Sequence, residues 1–230
     1  MTGTFLNVLT VLVGGTLGLF LGGRLPERIK STVIAGLGTF TISLGLQMFL
    51  KSENALIVLG GLLLGSLLGE WWHVEEGLRN FGAFLEARFA RGDSSQFIRG
   101  FLTTSLLFCI GPMTILGAIQ DGLSGDYRLL AVKAVMDGFA ALAFASSLGI
   151  GVLFSAVTVL IYQGSISLLA SQLNALLTSA MINEMTATGG VILIGLALST
   201  LLEIKPIRTG NFLPALLISP LIVWISGLVK

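Results

Sequence analysis

Apolar runs approaching twenty residues recur along this chain with very few charges inside them, and that feature constrains the fold most. Crossing a hydrocarbon core about 30 Å thick takes about 20 helical residues. Of 230 residues, 54% are hydrophobic and 11% charged; an average soluble domain carries about 25% charged residues. The expected fold class is therefore all-α, a polytopic transmembrane helical bundle with about eight spanning helices. Soluble classes are excluded, and the lipid bilayer is the first partner expected. A net charge of +1 implies no nucleic-acid partner. The first apolar run, from Phe5, has no basic region before it, so it reads as a permanent helix and not a signal peptide.

Taken in order, the spans are expected at 5–23, 32–50, 55–69, 97–119, 128–148, 152–169, 184–202 and 212–228. The fourth is broken at Gly111-Pro112, and Pro214 and Pro220 fall inside the eighth. Residues 171–183 are less apolar and fit either a loop helix or part of a span. Between the third and fourth spans, Phe81, Phe84, Leu85 and Phe89 recur at helical spacing. That pattern suits an amphipathic helix on the membrane surface or ordinary helix packing. Trp71 and Trp72 end the third span, where paired Trp belongs at headgroup level.

Two spans carry a stripe of glycines at four-residue spacing: Gly14, Gly18 and Gly22, then Gly61, Gly65 and Gly69. Such stripes let another helix approach closely, and they suit partner helices or a homo-oligomer equally. The two runs align as NVLTVLVGGTLGLFLGG and NALIVLGGLLLGSLLGE. A weaker offset of roughly a hundred residues relates spans one to three to spans four to six. The expected organisation is one integral membrane domain over 1–230. Within it, 1–72 and 97–170 form an inverted 3+3 repeat, 73–96 is a cytoplasmic amphipathic segment, and 183–230 adds two helices. Nine of the thirteen Lys and Arg residues fall in the 24–30, 73–99 and 205–208 segments. Eight spans put all three on one side, taken as cytoplasmic, with both termini outside.

Ionisable residues within the apolar runs are the candidates for function, because charge in hydrocarbon costs roughly 2.5–3.5 kcal/mol per Asp, Lys or Arg on insertion scales. Asp137 leads. It lies near the middle of the fifth span, with Lys133 one turn before it, so the two share a face. The pair reads as a proton- or cation-binding carboxylate with its counter-ion, or as a structural ion pair. Asp121 and Asp126, with Gln120 and Ser124, occupy a glycine-rich connection that suits the mouth of a cation pathway. Asp126 equally suits a helix cap. Asn183 and Glu184 open the seventh span; Glu184 either shares a cavity with Asp137 or is a first-turn acid favoured by the helix dipole. Tyr162, Gln163 and Asn211 are weaker candidates for lining a polar path.

Other chemistry has little material. The chain has one Cys and one His, and no H-E-x-x-H, G-x-S-x-G or Walker A pattern. No enzyme activity, metal or cofactor is expected. The sequence reads as an ion-coupled secondary transporter or a cation or proton pathway for a small ion or solute. The other class is a non-transporting membrane sensor or assembly partner.

Three stretches carry a resemblance: GGTLGLFLGGRLPERI near the N-terminus, GPMTILGAIQDGLSGDYRLLAVKAVMDGFAALAFASSLGIGVLFSA in the middle, and NEMTATGGVILIGLALSTLLEIKPIRTGNFLPALLISP near the C-terminus. They resemble the DUF554 family of bacterial membrane proteins, the YdfK/YqgA group, over nearly the whole length. The resemblance implies a bacterial multi-pass protein of the cytoplasmic (inner) membrane, and supplies no substrate and no site residues.

Overall fold

The computed structural model describes residues 1–89 and 94–228. The helices in chain order are α1 (Thr2–Gly22), α2 (Glu27–Phe49), α3 (Ala55–Trp71), α4 (Val74–Phe89), α5 (Ser94–Cys109), α6 (Pro112–Ser124), α7 (Arg128–Leu148), α8 (Gly151–Leu168), α9 (Ala170–Leu176), α10 (Ser179–Leu196) and α11 (Ala215–Leu228). Among the described residues there is no strand. Among those residues, six helical stretches are long and apolar enough to cross a membrane, or up to eight if two bent pairs each count as one. The architecture is an all-α bundle, as the sequence predicts.

Burial in these helices is reversed relative to a soluble protein. The buried residues of α1 are Gly3, Thr4, Asn7, Val11, Gly14, Gly15, Gly18 and Gly22, while Phe5, Leu9, Val13, Leu17 and Phe20 are exposed. In α3, Gly61, Gly65 and Gly69 are buried and Leu56, Leu59, Leu63 and Leu67 are exposed. A lipid tail is as apolar as leucine, so helices in a bilayer associate by close backbone packing through small residues. In α1 and α3 most of the large side chains are left for the lipid, while Leu130, Phe144, Ile192 and Leu193 of α7 and α10 are buried.

The helices gather into two compact units. The first holds residues 1–37 and 81–175, the second 38–80 and 176–230; the boundaries fall inside α2, inside α4 and at the end of α9.

In the first unit α7 is central. A Cβ added at Gly14, Gly18 or Gly22 of α1 would fall on the backbone oxygens of Gly138, Leu142 and Ser146. The numbers rise together, so α1 and α7 run parallel. Leu130 of α7 fills the space beside Gly3 and Gly117, and Leu148 lies against Gly100, so α1, α5 and α6 all rest on α7. The segments Gln96–Cys109 and Met113–Ser124 bend by 61° at the expected break. Pro112 has no N–H to give the Phe108 carbonyl. The Thr114 hydroxyl donates to it instead, at 3.1 Å. Leu85 of α4 is buried against Phe97 and Phe101, while Phe84 is exposed. The amphipathic segment therefore both packs on α5 and presents an apolar edge outward. The side chain of Phe89, and Arg91, lie outside the described residues.

In the second unit the same glycine device recurs with opposite sense. Cβ atoms at Gly61, Gly65 and Gly69 of α3 would meet Ser219, Ala215 and Asn211, descending numbers that make α3 and α11 antiparallel. Gly45 of α2 and Gly190 of α10 meet backbone to backbone. The two glycine runs that align in sequence thus serve one purpose against partners of opposite direction.

Three boundaries differ from expectation. The second span begins at Glu27, not 32, directly after Pro26, so Arg28 and Lys30 of the expected loop lie in its first turn. The seventh span begins at Ser179, not 184, because the Thr178 side chain accepts from the Met181 N–H at 3.3 Å and caps α10 five residues early. Pro214 precedes α11 and only Pro220 lies inside it. Thr209–Phe212 forms a short 3-10 turn before the helix. The 171–183 stretch holds α9 and then the first turn of α10.

Candidate functional site

Asp137 is nine residues into α7, which at 1.5 Å per residue places it about 14 Å along the helix, close to half of a 30 Å core. It is buried, and Lys133, also buried, pairs with its Oδ2. Helical side chains lean toward the N-terminus, so Asp137 reaches back toward Lys133. The same Oδ2 accepts from Asn7 Nδ2 of α1 at 3.0 Å. Asn7 Nδ2 also donates to Gln163 Oε1 of α8 at 3.0 Å, and Gln163 Nε2 donates to Thr4 Oγ1 at 3.2 Å. Asn7, Gln163 and Thr4 are fully enclosed, each at 0% exposure. One polar cluster therefore ties three helices of the first unit around a carboxylate and an ammonium. The reason these residues converge is the parallel register of α1 on α7: the glycine stripe brings the backbones close enough for Asn7 to reach Asp137. Asn7 Oδ1 is buried with no hydrogen-bond partner.

Asp121 belongs to the same unit with a different task. It lies in α6, buried, and its Oδ2 accepts from the Gly3 N–H at 3.1 Å and sits 3.0 Å from the Met1 nitrogen. First-turn N–H groups have no partner inside their own helix, and a carboxylate there also meets the positive end of the helix dipole. Asp121 Oδ1 is buried without a partner. Its neighbour Gln120 is exposed, away from the cluster. Asp126, one residue before the Tyr127 N-cap, accepts at Oδ1 from the N–H of Arg128, the first residue of α7, at 3.1 Å.

Glu184 and Asn183 lie in the second unit. Glu184 is 1% exposed and its acceptors are used. Oε1 takes the N–H groups of Glu53 at 2.7 Å and Asn54 at 2.9 Å, and Oε2 takes the Ser52 hydroxyl at 2.7 Å. It closes the α2–α3 connection and holds the entry to α3, where Asn54 is the cap. As the sixth residue of α10, it is not a first-turn acid. Asn183 Nδ2 donates to Glu53 Oε1 at 2.9 Å on the exposed side of the same connection.

Sequence reasoning undervalued three residues. Asn7 only opened one of the two aligned glycine runs, and Gln163 was only a weaker candidate for lining a polar path; both are direct members of the cluster. The signal was present, since a lone amide in an apolar run needs a partner, but its partner lies far off in sequence. The third is Asn211. Its Oδ1 accepts from the Glu75 N–H at 2.8 Å and its Nδ2 donates to Glu70 Oε2 at 2.7 Å. Gly210 N–H donates to Glu75 Oε2 at 2.7 Å, and Arg208 pairs with Glu70 at 2.6 Å. This polar clasp holds the turn after α3, where His73 adopts a φ of +54°.

Among the described residues no three His, Cys, Asp or Glu side chains are placed to hold a metal ion. What the first unit offers chemically is one positive and one negative group at mid-depth, with amide and hydroxyl oxygens beside them.

The comparisons with known proteins agree with the membrane architecture and go no further toward an activity. The chain is 33% identical over 221 residues to "Uncharacterized protein YqgA" of Escherichia coli (strain K12), covering 94% of each chain. It is 29% identical over 229 residues to "Uncharacterized membrane protein YdfK" of Bacillus subtilis (strain 168), covering 98% of this chain and 96% of that one. No solved structure matches. The family described as "Protein of unknown function (DUF554)" matches residues 2–224, and this multi-pass membrane protein belongs to that family.

Proposed function

We propose that the protein is a secondary transporter or cation or proton pathway of the bacterial inner membrane, with the Asp137 cluster as its ion site. The observation that carries this reading is the buried Lys133–Asp137 pair at mid-span, bonded to amides from two other helices. An ion pair in hydrocarbon is costly unless it is used, and intramembrane ionisable groups mark ion paths by default. The interrupted α5–α6 span, packed on the same α7, adds the broken helix that such proteins place beside their sites. With Lys133 on Asp137 the site is closed. An ion arriving from either side takes the carboxylate only when the ammonium withdraws, and this exchange would couple occupancy to a change of packing around α7. Glu184 has no part in the path, because its carboxylate is spent on backbone groups.

The test is reconstitution of the purified full chain in liposomes with an imposed proton or cation gradient, followed by an interior dye. Flux in wild type that D137N abolishes supports the reading; flux equal in both sinks it.

The second reading, a non-transporting membrane sensor or assembly partner, has one specific observation behind it. Among the described residues the three buried carboxylates are all bonded: Asp121 and Glu184 to backbone N–H groups, Asp137 to Lys133. No flux of any ion from well-folded wild type would favour it.

A further inference from the structure

We infer that the oxygen side of the Asp137 cluster binds a small monovalent cation, for which the Lys133 ammonium is the resident substitute. The inference rests on the proposed ion pathway and narrows it to a class of ion. Bonding at Asp137 is one-sided: Lys133 and Asn7 both use Oδ2, and Oδ1 has no hydrogen bond among the described residues. Asn7 is wholly buried, yet its Oδ1 has no partner. Turning the amide over does not relieve this. With Asp137 ionised, its carboxylate has no hydrogen to return to a turned Asn7 oxygen, and the turned Nδ2 would become the buried group without a partner. A buried acceptor left unpaired in a low-dielectric interior is expensive and calls for an explanation.

A cation supplies one. Asn7 Oδ1, Asp137 Oδ1, Gln163 Oε1 and Thr4 Oγ1 are carboxylate, carbonyl and hydroxyl oxygens, the donor set of hard cations. They come from α1, α7 and α8. Asp137 is the single carboxylate in the cluster, so one positive charge balances it and two would leave an uncompensated charge in hydrocarbon. Lys133 satisfies the same balance internally, on a four-carbon stem flexible enough to withdraw. The orphan oxygen on Asn7 favours a cation over a proton alone, since protonating Asp137 with the amide as it stands leaves Asn7 Oδ1 unpaired.

The experiment is thermal unfolding of the purified full chain in detergent, titrated with NaCl or LiCl against choline chloride at constant ionic strength. The K133Q variant is expected to be stabilised by Na⁺ or Li⁺ at a half-saturating concentration at least tenfold below wild type. N7L in the K133Q background should lose at least tenfold of that response, and K133Q with D137N should lose all of it. If K133Q folds poorly in choline chloride, Na⁺ or Li⁺ should restore its folded yield. An equal response to choline, an unchanged response in the D137N double variant, or stabilisation by acid alone would overturn the inference. Flux in liposomes without cation-specific stabilisation would overturn it while leaving the pathway standing. Stabilisation without flux would support the site and sink the pathway.

Discussion

Asp137 and Glu184 are both acids inside greasy helices, and their surroundings give them different work. Glu184 accepts two backbone N–H groups and a hydroxyl that hydrocarbon would otherwise leave bare. Replacing it by Ala should cost about 1–3 kcal/mol for each donor left buried and unpaired, read as a lower unfolding temperature in detergent, with the ion site of the first unit unaffected. Asp137 instead faces an ammonium. Lys133 precedes it by four residues, the less favourable order for a helical pair, so helix propensity does not account for the arrangement. Removing one partner strands a buried charge. D137L or K133M alone should therefore destabilise by about 3–5 kcal/mol, whereas K133M with D137L should cost far less than the two singles combined. Unfolding midpoints of the three variants test this. A double variant as unstable as the sum of the singles would mean the pair is not acting as a unit.

Two glycine-striped helices are each held at their N-terminus by a carboxylate from a later helix: α1 by Asp121 of α6, and the entry to α3 by Glu184 of α10. The stripe then sets how closely each helix approaches its partner. Gly14→Leu should separate α1 from α7, because its Cβ lands on the Gly138 carbonyl, and with that Asn7 loses Asp137. Folded yield should fall sharply. Gly36→Ala is the control: nothing lies within 4 Å of its Cβ, and it should gain roughly 0.5–1 kcal/mol from helix propensity. The α5–α6 break makes a third element-scale case. Thr114→Val removes the hydroxyl that serves the Phe108 carbonyl and should cost about 0.5–1.5 kcal/mol, again read from the unfolding midpoint.

At the scale of the whole molecule, span positions, the Gly111-Pro112 break and the glycine stripes were legible in the sequence, because each is a local pattern of composition and period. The Lys133–Asp137 pair was legible for the same reason: four residues on one helix share a face. Which elements meet was not. Asn7 finds Asp137 across 130 residues and Gln163 across 156, and no periodicity carries that information. Glu184 was expected at the start of its helix, either sharing a cavity with Asp137 or serving as a first-turn acid. The cap at Thr178, a single hydroxyl in a weakly apolar stretch, moved the helix start, and the α2–α3 connection claimed the carboxylate. Among the candidates, Lys133 and Asp137 come together with Asn7 and Gln163 in one unit, and Asn183 and Glu184 gather in the other. The proposed ion site therefore lies within the first unit alone.

Charge movement in reconstituted vesicles tests it most directly. Wild-type protein on a solid-supported membrane should give a transient current when a proton, Na⁺ or Li⁺ gradient is switched on. D137N should give none, and E184Q should retain it at whatever fraction of the protein remains folded. Currents of equal size from wild type and D137N, normalised to folded protein, would contradict the account.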